Sequence, residues 1–346
     1  MVTEIDDTRY PINFSEAKPI IENFLEKKEK EGKSRSLIRN YCYDILDFCK
    51  SVGIHNIEEV VIEDLEDYVE VMRSRNCSGS TINRRVSAIK SLFKYLIGVK
   101  RRILRRKKRL SDEDTHLIES IRNLIEEYEE ICNFERVKAI KKEKLPFRID
   151  ELKRMLNIAK ETKNSRYSSL SYRNYLILKF SAVGTGARNT AVRRLKKQDL
   201  DCYFCSKECD KCIPTVKVLR KGKTELGQEE RSKIRVRIEK LVCQELYDYI
   251  HYQNHKSDFV FPSRNSGALS IPSINRILYN TLKKVDIKKQ GRTFHSLRHT
   301  FVTEGIKNGT PYGHMARQVD HEGKLGITGK YEHMNAKDLD IRFIKL

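Results

Sequence analysis

The chain has 346 residues, 69 of them Lys or Arg and 48 Asp or Glu, for a formal net charge of +21. That length predicts two domains, each able to bury a core. The charge excludes an ordinary neutral metabolic enzyme as the default. It points to a polyanionic partner, either nucleic acid or an anionic membrane surface.

No run approaches the 18 or so consecutive apolar residues of a transmembrane helix. The start, MVTEIDDTRYPINF, lacks the basic region and apolar core of a secretory peptide. The expected location is therefore the cytoplasm, where thiols stay reduced. Five scattered cysteines (Cys42, Cys49, Cys77, Cys132, Cys243) read as small apolar core residues.

In chain order, residues 14–31 place Ile20, Ile21, Phe24 and Leu25 on one helical face. Ser34 opens a second helix through Ile38, Tyr41, Ile45, Leu46 and Phe48, and IEDLEDYVEVMRSR forms a third. Ser80 starts a fourth, with Ile82, Val86, Ile89, Leu92, Phe93 and Leu96 inward and Asn83, Arg84, Arg85, Lys90 and Lys94 on the other face. No acidic residue lies between Thr81 and Lys100 to neutralise that face, so it is expected to lie against phosphates.

The run KRRILRRKKR, residues 100–109, follows and holds eight basic residues in ten, including Arg101, Arg102, Arg105 and Arg106. Like charges in a block repel unless a polyanion meets them, which makes DNA contact the favoured reading over a solvated linker. Ser111 then caps a long amphipathic helix over about 112–136. Residues 138–146, Lys-rich and ending at Pro146, read as a hinge. The expected organisation is a helical domain over 1–137, the linker 138–146, and a second domain over 147–346.

The second domain mixes element types. A turn at GTGA interrupts helical residues 170–196. Residues 213–219 and 234–240 read as the strands of a hairpin whose turn holds Lys221 and Lys223. Helices follow over 241–253, 272–285 and 296–307. Within an insertion at 202–212, Cys202, Cys205, Cys209 and Cys212 are spaced C-x₂-C-x₃-C-x₂-C. Four thiolates suit a tetrahedral structural zinc that braces the hairpin. An iron–sulfur cluster and four plain thiols are the alternatives.

Arg188, a hairpin Lys, His295, Arg298, His321 and Tyr331 occur in that order, with 33 positions from Arg298 to Tyr331. Two guanidiniums can clamp one phosphate bidentately. Two histidines can move protons near neutral pH. A lysine on a turn can protonate a leaving oxygen, and a tyrosine hydroxyl can attack. Together they describe phosphoryl transfer through a covalent tyrosine with no catalytic metal.

Three boxes carry a family resemblance: TGARNTAVRRLKKQDLD, TFHSLRHTFVTEGIKNG and DHEGKLGITGKYEH. They resemble those of the tyrosine recombinase (phage integrase) family, Xer-type recombinases included. The segments SRSLIRNYCYDILDF and SGSTINRRVSAIKSLFKYL are similar to its core-binding domain.

The resemblance implies a mainly α fold with a small β-hairpin, built from an N-terminal helical, SAM-like core-binding domain and a C-terminal α+β catalytic domain. It implies that Tyr331 attacks the scissile phosphodiester and forms a 3′-phosphotyrosyl link. Arg188 and Arg298 would bind the phosphate, His295 would assist proton transfer, and His321 would hydrogen-bond a phosphate oxygen. Lys221, with Lys223 as the alternative, would protonate the departing 5′-oxygen, and His299 would be structural.

The partners so implied are double-stranded DNA, enclosed by the two domains as a clamp, and three further copies in a tetramer that passes through a Holliday junction. No membrane and no small-molecule substrate is expected. The tail NAKDLDIRFIKL is expected to dock as a helix on a neighbouring subunit.

Two positions depart from the family pattern. The acidic residue usual three positions after the first Arg is Ala191, and the Leu-Gly usual before the later His is Val319-Asp320. A type IB topoisomerase-like nicking–closing enzyme and a non-catalytic, zinc-containing DNA-binding regulator are the rival functions.

Overall fold

Ser34 illustrates how local chemistry starts these helices: its backbone is extended and its hydroxyl accepts the Leu37 N–H at 3.3 Å. The helix it caps ends at Gly53, whose φ of 76° suits a residue without a side chain. The computed structural model describes residues 17–107, 115–139, 145–160, 170–201, 213–220, 233–253, 256–320 and 335–346. The chain falls into two units, Met1–Lys141 and Lys142–Leu346.

The first unit contains α1 (Ala17–Lys30), α2 (Arg35–Val52), α3 (Ile62–Ser74), α4 (Gly79–Lys107) and α5 (Thr115–Asn133). Their apolar stripes meet in one core that includes Phe24, Phe48, Tyr68, Phe93 and Tyr128. The buried tyrosine hydroxyls are satisfied: Tyr68 donates to Asp47 and Tyr128 to the Glu58 carbonyl.

Two expectations are corrected here. Residues 100–107 of the basic run are no separate segment, because α4 continues unbroken to Lys107. Straight-chain Arg and Lys are good helix formers, and their propensity outweighs the like-charge repulsion. The following helix stops at Asn133 instead of about 136. Residues beyond it are drawn onto α4, where the Asn83 side chain donates to the Val137 carbonyl at 2.7 Å and accepts its N–H at 2.9 Å.

The second unit contains α6 (Ile149–Lys160), α7 (Leu170–Lys179), α8 (Asn189–Arg193), β1 (Thr215–Leu219), β2 (Lys233–Arg237), α9 (Lys240–Gln253), α10 (Ile271–Lys284), α11 (Phe294–Lys307) and α12 (Tyr312–Gln318). The two strands pair antiparallel, Thr215 opposite Arg237 and Leu219 opposite Lys233. Val216 and Val236 face the helical core. The chain entering β1 is fastened to the strand itself: Leu200 bridges to Val216, and the Asp201 carboxylate accepts the Thr215 hydroxyl and pairs with Arg235 at 3.2 Å.

The tail also departs from expectation. Apart from a 3₁₀ turn at Ala336–Asp338 it is irregular, and Leu339 and Ile341 pack on Phe301, Met315 and Val319 of its own unit. The Thr310 hydroxyl accepts the Arg342 N–H at 2.8 Å. Leu339, Ile341 and Ile344 are buried within its own unit, whereas Leu346 remains 47% exposed.

Cys42, Cys49, Cys77 and Cys132 are free, as reduced core residues should be, and Cys243 is buried in the second unit. Among the described residues no helix is long and apolar enough to cross a membrane.

Candidate active site

Helix α7 does not end in an ordinary cap. It widens into a π-helix over Phe180–Thr185, a form often found at functional sites. The turn that follows is pinned by its own hydroxyls. Ser181 donates to the Ala187 carbonyl at 2.9 Å, while Thr185 donates to the Phe180 carbonyl at 3.0 Å and accepts the Ala187 N–H at 3.1 Å. Gly186 is required twice over. Its φ is 70°, and a Cβ there would stand 2.5 Å from the Phe301 ring. Arg188 leaves this turn immediately before α8.

Arg298 lies one turn into α11 and is 5% exposed. Its guanidinium donates to the Gly186 carbonyl at 3.0 Å and to the Val319 carbonyl. Burial, followed by the neighbouring Arg188 cation, lowers its pKa to about 9, and Asp320 opposes that shift. Each terminal guanidinium nitrogen carries two N–H groups, so the two carbonyls aim the fork without exhausting it.

Arg188 reaches the same turn, donating to the Asp320 carboxylate at 3.2 Å and to the Asp320 carbonyl at 2.7 Å. The structure therefore brings together two arginines that stand 110 positions apart in the sequence. The place where they meet, 319–320, directly precedes His321.

Gln318 ties this turn to the sheet. Its amide donates to the Thr185 and Arg237 carbonyls and accepts the Arg237 N–H at 2.9 Å. His295 is half-buried on α11, its ring edge-on to His299 with centroids 4.8 Å apart. Lys221, Lys223, His321 and Tyr331 lie outside the described residues, as do Cys202, Cys205, Cys209 and Cys212. Among the described residues no group of three His, Cys, Asp or Glu side chains could hold a metal ion.

A family model described as "Phage integrase family" matches residues 147–338, more than half of the chain. The chain belongs to the phage integrase family, the tyrosine recombinases. It is accordingly an enzyme that cleaves and rejoins DNA. The model described as "Phage integrase, N-terminal SAM-like domain" matches residues 21–100 of the same integrase. The mainly helical fold with its single described hairpin agrees with both.

Tyrosine recombinase XerC of Oceanobacillus iheyensis is 22% identical over 332 residues, covering 94% of each chain. Tyrosine recombinase XerA of Pyrococcus furiosus is 24% identical, covering 92% of this chain and 91% of its own. Among solved structures, a lambda integrase tetramer bound to a Holliday junction superposes with a TM-score of 0.61 at 12% identity, covering 93% of this chain and 82% of the other. That likeness shows the fold.

In the integrase, the basic face of α4 is not the bare cationic surface its sequence suggests. Arg84 pairs with Asp44, and Arg85 with Asp47 and the Tyr68 hydroxyl. Lys90 donates to the Phe134 carbonyl, and Asn83 is held by Val137. The neutralising carboxylates come from α2, some 40 positions earlier, which corrects the premise drawn from α4 alone.

Arg101 pairs with Glu129 at 2.5 Å on the surface. Lys94, Arg102, Arg105 and Arg106 are exposed, with no carboxylate in ion-pair reach among the described residues. Arg102 donates to the Gly98 carbonyl of its own helix. Sequence reasoning also missed Gln318 and Arg220, the latter on Asp320 at 3.1 Å. Neither carries a local signal, because their partners are about 80 to 130 positions away.

Proposed function

We propose that this integrase is a site-specific recombinase that cuts and rejoins duplex DNA through a 3′-phosphotyrosyl intermediate on Tyr331. It acts as a tetramer on two DNA sites, by way of a Holliday junction. One observation supports the reading above others: Arg188 and Arg298 converge on the 319–320 turn, their guanidiniums fixed by backbone carbonyls before any substrate arrives. Two fixed forks suit one phosphate, and a cation site built in advance needs no reorganisation as charge develops in the transition state. The lambda integrase tetramer on a Holliday junction shares this fold and supports the assembly.

His295 assists proton transfer at Tyr331, His321 hydrogen-bonds a phosphate oxygen, and Lys221 of the hairpin protonates the leaving 5′-oxygen. Lys94, Arg102, Arg105 and Arg106 supply the phosphate-tracking surface. Arg101 joins it because an exposed ion pair yields readily to a phosphate. Arg84, Arg85, Lys90 and Asn83 contribute mainly by holding the first unit together.

The test is a nicked suicide duplex, which traps the covalent complex by letting the cleaved fragment diffuse away. Wild type is expected to form a DNA–protein adduct and Tyr331→Phe none. An adduct that persists in Tyr331→Phe removes Tyr331 as nucleophile. Relaxation of supercoiled DNA by wild type without strand exchange between two sites would instead favour a nicking–closing enzyme.

The structural zinc rests on the C-x₂-C-x₃-C-x₂-C spacing, whose two pairs of thiols suit a four-thiolate site. Purified protein is expected to hold about one zinc per chain, lost in Cys202→Ser and Cys209→Ser. A content well below one per chain overturns it.

A further inference from the structure

Asp320 occupies an uncomfortable position. Its φ of 49° lies in the left-handed region, where glycine is at ease and an aspartate is held at some cost. Its side chain is 5% exposed, and burying a carboxylate is costly unless cations meet it. Here they do. One carboxylate oxygen accepts from Arg188 at 3.2 Å and the other from Arg220 at 3.1 Å. The Asp320 carbonyl accepts a second Arg188 nitrogen at 2.7 Å, and the carbonyl before it, that of Val319, accepts from Arg298. One turn at the end of α12 thus holds three arginines from three different elements.

The arginine site needs such a group. Two guanidiniums gathered on one turn repel each other, and the Arg188 cation already disfavours the charged form of Arg298. A carboxylate among them offsets that repulsion and fixes the Arg188 rotamer. The position one helical turn after Arg188 cannot supply it, because Ala191 is buried and carries no polar atom.

We propose that Asp320 is the positioning carboxylate of this arginine site, supplied from the end of α12 in place of the acid that position 191 lacks. The assignment rests on the recombinase reading above. Asp320 acts through Arg188 and Arg220, not on DNA. The opposite reading, a carboxylate that plugs the phosphate site, predicts the opposite sign in the same experiment.

Asp320→Asn keeps the size and the left-handed backbone while removing the charge. The probe is a nicked suicide duplex carrying the sequence this protein enriches from a random DNA pool. Asp320→Asn is expected to slow single-turnover adduct formation by about 10–100-fold, the scale of a misplaced reacting group. Its Kd for the same duplex should stay within about threefold, since one buried neutralised pair contributes little to binding along the phosphate backbone. Adding Ala191→Glu is expected to restore most of the lost rate, which a merely structural defect would not allow. Adduct formation at or above the wild-type rate in Asp320→Asn overturns the assignment, as does an Ala191→Glu that restores nothing.

If wild type forms no adduct, the recombinase reading fails, and the assignment is decided on the protein alone. The melting temperatures of Asp320→Asn, Ala191→Glu and the double variant are then expected to be non-additive, with Ala191→Glu costing less when the Asp320 charge is gone. Additive shifts overturn it. If Asp320→Asn alone does not fold, the double variant decides: recovery of a cooperative transition supports the assignment, and its absence overturns it.

Discussion

Arg298→Lys is expected to lower the rate of DNA cleavage by about 100–1,000-fold, the scale on which one preorganised donor to a developing anion acts. The substitution keeps a cation and removes the fork. Arg298 is aimed by the Gly186 and Val319 carbonyls, and a lysine ammonium cannot satisfy both while presenting two parallel donors to a phosphate.

DNA affinity should stay within about threefold, because binding to duplex DNA is dominated by cations that release counterions along the backbone. Exposed cations on α4 carry the complementary signature: neutralising Arg105 or Arg106 should flatten the salt dependence of binding by about 0.9 for each phosphate no longer neutralised. Single-turnover cleavage and binding isotherms on one duplex check both. A parallel loss of affinity and cleavage in Arg298→Lys would make Arg298 one more general cation.

Lys233→Met is expected to destabilise the second unit by about 3–5 kcal/mol, the usual cost of stranding one partner of a buried ion pair. Lys233 opens β2 and its ammonium meets the Asp199 carboxylate at 2.6 Å, with the side chains 3% and 2% exposed. Asp199 also accepts the Lys196 N–H at 3.0 Å, so the pair anchors the hairpin to the segment after α8. At about 2–4 °C per kcal/mol for a unit of this size, the melting temperature should fall by roughly 6–20 °C. Replacing both partners by apolar residues, Asp199→Leu with Lys233→Met, should recover much of the loss, because no buried charge is then left alone. Thermal unfolding followed by circular dichroism distinguishes these outcomes. A single variant that melts with wild type would show that water reaches the pair.

The helices and the three boxes were legible because their signals are local. Ser34 caps three residues ahead, and His295, Arg298 and His299 share one turn of α11. What escaped the sequence depends on distance along the chain. Nothing near Arg84 announces Asp44, because helical periodicity reports which face turns inward and is silent on which face of another helix will meet it. The pairing of Arg188 with Asp320 spans 132 positions and uses a carbonyl that every residue possesses. Asp320 itself looked like a departure from pattern before its partners were visible. The apolar tail was legible as sticky, but a sequence does not say whether the surface it covers belongs to its own chain or to another.

The fastening of Leu200 to Val216 and of Asp201 to Thr215 has an evolutionary consequence. Those two fastenings close a stem at 200–201 and 215–216, which uncouples the register of β1 from the length of sequence between them. Each doubling of such a loop costs only about 0.6 kcal/mol in closure entropy. The stem is therefore a graft point. New cargo, a metal-binding module among other things, can be acquired, enlarged or discarded there across generations while the register of the hairpin and the aim of the arginines are inherited unchanged.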